Sequence, residues 1–224
     1  IFDCFFMCTK TKPFLKTPIS YYGGKQMMVK TILPLIPNHE LYCEPFCGGG
    51  AIFWAKEPIK NEVINDLNGE VANFYRVLKS DFANLENLVG VTLHNKQEYD
   101  DAMVIYNHPH LFTELKRAWA FWVVTSQSYA SRIGGGWAYD RSSKSKSATT
   151  VHNKRERFTA LYEERLSRVS IENRSAVKVI ESRDNEKAFF YCDPPYFNSN
   201  MGHYGGYTEY DFTCLLECLS KVKG

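Results

Sequence analysis

The feature that most constrains the fold is an apolar run that ends in two prolines. Residues 188–192 have the composition of a short buried strand, and Asp193-Pro194-Pro195-Tyr196 follows them directly. Two consecutive prolines cannot continue a helix or a paired strand, so the backbone must leave the sheet in an extended, stiff conformation. This places a carboxylate, a carbonyl group and an aromatic ring at the carboxyl end of a strand. Ligands of open α/β sheets bind at that end.

A strand, a glycine loop and a helix are predicted in that order over residues 41–54. Gly48, Gly49 and Gly50 permit positive φ angles and let a ligand touch the backbone. The spacing of a dinucleotide-binding loop is absent, since the third residue after Gly50 is Phe53, and a Gly-Lys-Ser/Thr phosphate loop is absent too. The loop therefore favours a nucleoside ligand that is smaller than a dinucleotide.

An acidic residue ends the next predicted strand, residues 62–66 (Glu-Val-Ile-Asn-Asp). In a βαβ unit, an acid at the end of the second strand reaches the ribose hydroxyls of a bound nucleoside. The alternative is that Asp66 or Asn68 only caps the helix that follows. Because the glycine loop lies at a suitable distance upstream, the pattern favours the ribose interpretation for Asp66.

The remaining apolar patterns predict an α/β domain with a helical insertion. At 224 residues, 44% hydrophobic and 23% charged, the chain is long enough for one such domain. A further strand is predicted over 169–172, and helices are predicted over 25–36, 71–78, most of 81–128, 158–166, 176–180 and 210–222. Most aromatic residues of the long helix near Trp122 are assigned to the core. A doubly wound sheet is expected to continue into another strand after the last helix, so we expect the last strands to be missing and the chain to be truncated.

The composition changes to basic and apolar-poor over residues 141–157. Such a run is either a solvated, mobile loop or a segment that contacts phosphates, because cations near a nucleic acid release counterions. Tyr129, Trp137 and Tyr139 lie nearby in the sequence and have rings that could stack on bases or wedge between them.

The cysteines and hydropathy indicate a cytoplasmic protein without a metal centre. The seven cysteines include no Cys-x-x-Cys pair, and the six histidines are scattered, which favours reduced thiols over a zinc site. No run approaches the roughly twenty apolar residues that span a bilayer. Residues 1–12 form an extension to which no role is assigned.

Four motifs in chain order resemble the Dam-like class of adenine-specific DNA methyltransferases. They are residues 20–25 (Ser-Tyr-Tyr-Gly-Gly-Lys), 44–50 (Glu-Pro-Phe-Cys-Gly-Gly-Gly), 64–68 (Ile-Asn-Asp-Leu-Asn) and 193–196 (Asp-Pro-Pro-Tyr). The resemblance covers about residues 13–224. It implies a Rossmann-like catalytic domain, 13–84 and 166–224, that binds S-adenosylmethionine, and a mainly helical target-recognition lobe, 85–165. The implied partner is double-stranded DNA, with no membrane, no metal and no obligatory protein partner evident.

The resemblance also implies a role for individual residues. Asp193 and the Pro194 carbonyl would accept hydrogen bonds from the N6 amine of a flipped adenine, and Tyr196 would stack on that base. The residues implied to contact the methyl donor are Tyr21, Lys25, Phe46, Gly48, Gly50, Asp66 and Asp193. The residues expected to contact DNA are Tyr129, Arg132, Trp137, Arg141, Lys144, Lys146, Lys154 and Arg155.

Two residues depart from the family pattern. Tyr21 stands where tryptophan is common, and Ser175 stands where an aspartate usually holds the donor's adenine amine; serine can accept that bond without charge. Other acceptors are RNA adenine, cytosine N4 or a protein glutamine, although the enzymes for the last two more often carry Ser or Asn in place of Asp193. A further alternative is a truncated, inactive module that binds DNA or the donor without turnover. The sequence reveals neither the recognition sequence nor a partner endonuclease.

Overall fold

The computed structural model describes residues 14–196 and 206–224 of the chain. Within them, four parallel strands form one sheet in the spatial order β3-β2-β1-β4. The strands are β1 Leu41–Glu44, β2 Asn61–Asn65, β3 Val169–Glu172 and β4 Ala188–Phe190, so all four predicted strands are confirmed. The order 3-2-1-4 begins a Rossmann-like doubly wound sheet, whose topological switch point lies between β1 and β4.

Ten α-helices surround the sheet in the part of the chain that the structure describes. They are α1 Val29–Ile32, α2 Ala51–Ala55, α3 Gly69–Ser80, α4 Phe82–Val91, α5 Lys96–Asn107, α6 Glu114–Gln127, α7 Ser147–Glu156, α8 Leu161–Leu166, α9 Ala176–Arg183 and α10 Glu209–Leu219. The fold class is therefore α/β, as predicted.

Both faces of the sheet are buried, because successive side chains of a strand point to opposite sides. Tyr42 and Ile64 belong to the apolar cluster that includes residues of α2 and α3. Cys43 and Val63 contact Val179 of α9 on the opposite face. Helices on both faces leave the carboxyl edge of the strands accessible to a ligand.

The helical region between β2 and β3 packs on the sheet domain through α3 and α6. Phe121, Trp122 and Val123 of α6 are fully buried, as predicted from the sequence. The indole of Trp119 donates to Thr92 Oγ1 over 2.8 Å. The three buried residues of α6 belong to the same apolar cluster as Tyr42 and Ile64 of the sheet, so one core runs through both regions. The division of the chain into a catalytic domain and a recognition lobe stays a prediction.

Three local predictions differ from the structure. Residues 25–36 form two 3-10 turns around the short α1 rather than one helix, because Pro34 has no N–H to continue it. The basic run is not only loop, since 147–156 form α7 and Val151 anchors it in the core. The last helix, predicted over 210–222, ends earlier, since α10 spans Glu209–Leu219; Leu215 and Cys218 form its buried face, while Leu216 is 51% exposed.

Within residues 14–196 and 206–224, no helix has the length and apolarity to cross a membrane. The same ranges contain no group of three or more His, Cys, Asp or Glu side chains arranged to hold a metal ion. The extension 1–12, which was given no role, lies outside the described residues.

Candidate active site

A cleft with a volume of about 910 Å³ opens at the carboxyl edge of the sheet. It lies beside the switch point, between the loops that follow the strands and the N-terminal segment at Lys25. All the residues that the resemblance implies for the donor line this one cleft: Tyr21, Lys25, Phe46, Gly48, Gly50, Asp66 and Asp193. The parallel sheet thus brings together side chains that are far apart in the sequence.

The glycine loop after β1 is fixed from both sides. Gly48 has a φ of 45°, its N–H donates to Asp66 Oδ2 over 2.8 Å, and its carbonyl accepts from the Tyr75 hydroxyl over 2.9 Å. A Cβ added at Gly48 would lie 2.9 Å from Cδ1 of Tyr21. Gly50 also has a positive φ, 65°. The backbone conformation and the ring of Tyr21 therefore both require glycine at position 48.

Asp66 follows β2 and connects the glycine loop to the start of α3. Its second oxygen, Oδ1, accepts from the N–H of Asn68 over 2.9 Å. The helix cap itself is Asn68, whose side chain accepts from the N–H of Glu70. Burial raises the pKa of Asp66, and the backbone hydrogen bonds from Asn68 and Gly48 oppose this rise. Each carboxylate oxygen retains acceptor capacity toward the cleft.

An ion pair occupies the centre of the predicted catalytic group. The Lys25 ammonium lies 2.7 Å from Asp193 Oδ2, donates to the Gly23 carbonyl over 3.2 Å, and sits 5.6 Å from the centre of the Tyr196 ring. Burial lowers the pKa of Lys25, but the hydrogen bond and charge of Asp193, with Tyr196, outweigh it and raise that pKa above its usual value. Lys25 is therefore held as a cation on the carboxylate.

The other two predicted catalytic residues, Pro194 and Tyr196, are not among the residues that line the cleft, although Asp193 and Pro195 beside them are. Pro194 is half-buried, and the Tyr196 ring is 63% exposed where the chain leaves β4. Before the tetrapeptide, the N–H of Tyr191 still donates to the Cys43 carbonyl over 2.9 Å, which fixes the exit from the sheet. The tetrapeptide thus begins from a hydrogen-bonded backbone position.

Sequence reasoning gave no role to Glu44, whose side chain also lines the cleft. It is 2% exposed, and its Oε1 accepts from the Tyr42 hydroxyl over 2.5 Å. Burial raises the pKa of Glu44 to about 7, while the bonds from Tyr42 and the Phe53 backbone and the charge of Lys56 oppose this. The sequence signal that could have pointed to Glu44 is its position as the first residue of the glycine-loop motif, residues 44–50. The far wall of the cleft, also unassigned apart from Ser175, includes Lys178, Glu181, Asp211 and Cys214.

Comparison with known families decides the relationship of this chain. The profile of the D12 class N6 adenine-specific DNA methyltransferases matches residues 21–217. The chain belongs to this family. The matched range contains all of the donor and catalytic residues implied above.

Three curated proteins are similar to this D12-class chain over different lengths. It is 29% identical over 130 residues to the DNA N-6-adenine-methyltransferase of Escherichia phage P1, covering 48% of this chain and 17% of that protein. It is 39% identical over 90 residues to the Type II methyltransferase M1.LlaDCHI of Lactococcus lactis subsp. cremoris, covering 39% and 28%. It is 24% identical over 232 residues to the Type II methyltransferase M.MjaIII of Methanocaldococcus jannaschii, covering 91% and 75%. The matches thus span less than a third of the first two proteins.

The aromatic residues expected at DNA lie on a hairpin-like loop of the D12-class chain. Ser128 and Trp137 form an antiparallel bridge, and the Tyr129 ring between them is 68% exposed. The ring of Trp137 stacks with the rings of His94, at 5.0 Å, and Tyr139, at 5.6 Å. Trp137 is therefore engaged with two neighbouring rings and is partly buried, whereas Tyr129 presents most of its surface to solvent.

The expected basic residues of this methyltransferase-family chain fall into two groups. Arg132, Arg141, Lys144 and Lys146 are all exposed in the stretch of chain that leads to α7. Lys154 and Arg155 lie on α7 itself; Arg155 donates to the Thr92 carbonyl over 2.7 Å. Burial, with the nearby charge of Arg157, lowers the pKa of Lys154 to about 7. The exposed group is thus the better placed to meet a polyanion.

Proposed function

We propose that the protein transfers a methyl group from S-adenosylmethionine to the exocyclic N6 amine of an adenine flipped out of duplex DNA. The observation that carries the proposal is that the glycine loop, Asp66 and Asp193 share one cleft at the switch point of the sheet. Membership of the D12 family supports the same reaction. The Dam-like order of donor motifs, recognition lobe and catalytic tetrapeptide is part of the proposal.

The residues of the cleft fit such a donor. Gly48 and the ring of Tyr21 both line the cleft, and Asp66 offers carboxylate acceptors to ribose hydroxyls. Ser175 makes no side-chain hydrogen bond to the first turn of α9, so its hydroxyl can accept from an adenine amine. When bound, S-adenosylmethionine supplies a methyl group that its sulfonium charge has already activated.

Asp193 and Pro194 would orient the target amine. The lone pair of an aromatic amine is delocalised into the ring, and two acceptors in fixed directions favour a geometry that exposes it. Pro194 and Pro195 stiffen the backbone that carries both acceptors. Because Lys25 contacts Oδ2 of Asp193, an entering amine either uses Oδ1 or displaces the ammonium. This catalysis relies on positioning and electrostatics.

Tyr196 would hold the flipped base. Its exposed ring can stack on adenine, which is worth about 1–3 kcal/mol per base. That gain offsets part of the few kcal/mol that extrusion of a base from the duplex costs. The exposed Tyr129 and the exposed cations Arg141, Lys144 and Lys146 support residues 85–165 as the DNA-binding lobe.

Transfer of label from donor to nucleic acid tests the proposal. The protein is incubated with labelled S-adenosylmethionine and unmethylated duplex DNA in one reaction, and with the labelled donor and RNA in another. Asp193→Ala is tested beside the wild type, and the control is Asp101→Ala, which removes an exposed carboxylate on α5. We expect N6-methyladenine in DNA from the wild type and the control, and none from Asp193→Ala. Donor binding without transfer to any nucleic acid would instead favour the inactive module, and transfer to RNA alone would change the substrate.

A further inference from the structure

One buried amide joins the two loops that form opposite ends of the candidate donor site. Asn65 is the last residue of β2, and its side chain is 1% exposed. Its Nδ2 donates to the Pro45 carbonyl over 2.8 Å and to the Arg174 carbonyl over 3.0 Å. Its Oδ1 accepts from the N–H of Arg174 over 3.0 Å. The side chain therefore holds the backbone of both loops at once.

The position of β2 in the sheet explains why this residue can reach both loops. β2 lies between β1 and β3, so its carboxyl end faces the loop after each neighbour. The Asn65 carbonyl additionally accepts from the N–H of Cys47 over 2.8 Å. Pro45 leads into the glycine loop, and Arg174 leads into Ser175 at the start of α9. Both amide protons are used, so rotation of the side chain would break contacts to both loops.

We propose that Asn65 is a positioning residue that sets the spacing between the two halves of the donor site, the glycine loop and the start of α9. The inference rests on the proposed function, because it requires a donor that spans both loops. A ligand made of two linked parts gains from the linkage only where the spacing of the half-sites matches the ligand. Asn65 contributes to this match through the loops that it holds.

A role in spacing and a role in general stability predict different binding results. Loss of spacing weakens binding of a ligand that spans both loops, but leaves binding to one loop nearly unchanged. General loosening of the fold weakens both. S-adenosylhomocysteine, the donor without its methyl group, spans the site, and adenosine probes the α9 and Asp66 side alone.

The experiment compares these two ligands on Asn65→Ala and Asn65→Ser by calorimetry and by ligand-observed NMR. Linkage of two half-sites contributes on the order of 10²–10⁴-fold in affinity. We expect the affinity for S-adenosylhomocysteine to fall by at least about thirtyfold, a part of that range. The affinity for adenosine should stay within about threefold of the wild type, a small fraction of the linkage gain. Asn65→Ser is the variant compared if Asn65→Ala does not fold.

Asn61→Ala is the matched control, since Asn61 lies exposed at the opposite end of β2, and its side-chain amide donates to the Glu40 carbonyl over 3.4 Å, outside both loops. It should leave both affinities unchanged. Equal losses for both ligands, or an unchanged affinity for S-adenosylhomocysteine in the Asn65 variants, would overturn the inference alone. Failure of the wild type to bind S-adenosylhomocysteine would overturn the donor assignment and this inference with it.

Discussion

Replacement of Gly48 by alanine tests the geometry of the donor loop most directly. Alanine at a φ of 45° costs about 1–2 kcal/mol. A flip to a negative φ would break the hydrogen bonds to Asp66 and Tyr75, each worth about 1 kcal/mol net. Both conformations, the positive φ and the flipped one, destabilise the folded protein, so we expect the free energy of unfolding to fall by about 1–2 kcal/mol. The added Cβ would also lie 2.9 Å from the Tyr21 ring, which must move.

Donor affinity should fall together with stability, because both the strained loop and the displaced ring line the cleft. A binding loss of about 1–2 kcal/mol corresponds to a roughly five- to thirtyfold weaker affinity. Calorimetry with S-adenosylhomocysteine measures the affinity, and urea unfolding measures the stability. Gly134→Ala is the matched control: its φ is 80°, and nothing lies within 4 Å of the added Cβ. It should lose stability without losing affinity.

Two results would refute this reasoning. An affinity of Gly48→Ala within about twofold of the wild type would mean that the loop does not contact the donor, since strain of the expected size costs more than that. An equal loss of affinity in Gly134→Ala would mean that backbone strain anywhere in the chain lowers binding.

Two further predictions concern pH and salt. The folded protein retains the Glu44 proton up to a pKa of about 7, above the ordinary 4.5, so the stability that Glu44 contributes should be lost as pH rises from 4.5 to 7. Relative to the wild type, the free energy of unfolding of Glu44→Gln should therefore rise by about 3 kcal/mol over this range, at 1.36 kcal/mol per pKa unit. Urea unfolding at several pH values measures this, with Glu40→Gln, at an exposed position, as the control. Parallel curves for Glu44→Gln and the wild type would contradict the prediction. The second prediction replaces three exposed cations by alanine, Arg141, Lys144 and Lys146. The log–log slope of DNA affinity against salt concentration should then flatten by up to about 2.7, at about 0.9 per phosphate contact. An unchanged slope would leave the segment as a solvated loop, and Lys187→Ala, at the amino end of β4, should have no effect.

The location of the site could be predicted from the sequence because its chemistry lies at strand ends. Asp66 and Asp193 each follow a short apolar run, and parallel strands place their carboxyl ends on one edge of the sheet. The sequence pattern therefore predicted one cleft for residues separated by the whole helical insertion. Short strands with β-branched or aromatic residues between turns were also enough to place all four strands.

The partners of individual side chains could not be predicted, because they depend on tertiary packing. No sequence pattern links His94 to Trp137, yet their rings stack and cover one face of the indole. In α7, an otherwise polar helix, Val151 is the residue that is buried in the core. Lys25 was expected to contact the donor, and only the coordinates show its ammonium on Asp193.

The motif that ends β2 contains residues of two different kinds, and its adjacent positions Asn65 and Asp66 illustrate the difference. Asn65 turns its amide into the backbone of the neighbouring loops, whereas Asp66 lines the cleft and offers carboxylate oxygens. Because successive residues leave a strand in opposite directions, the amide of Asn65 holds the loops while Asp66, the next residue, lines the cleft. A match to the motif therefore assigns the family, but the role of each residue within it follows only from the direction of its side chain.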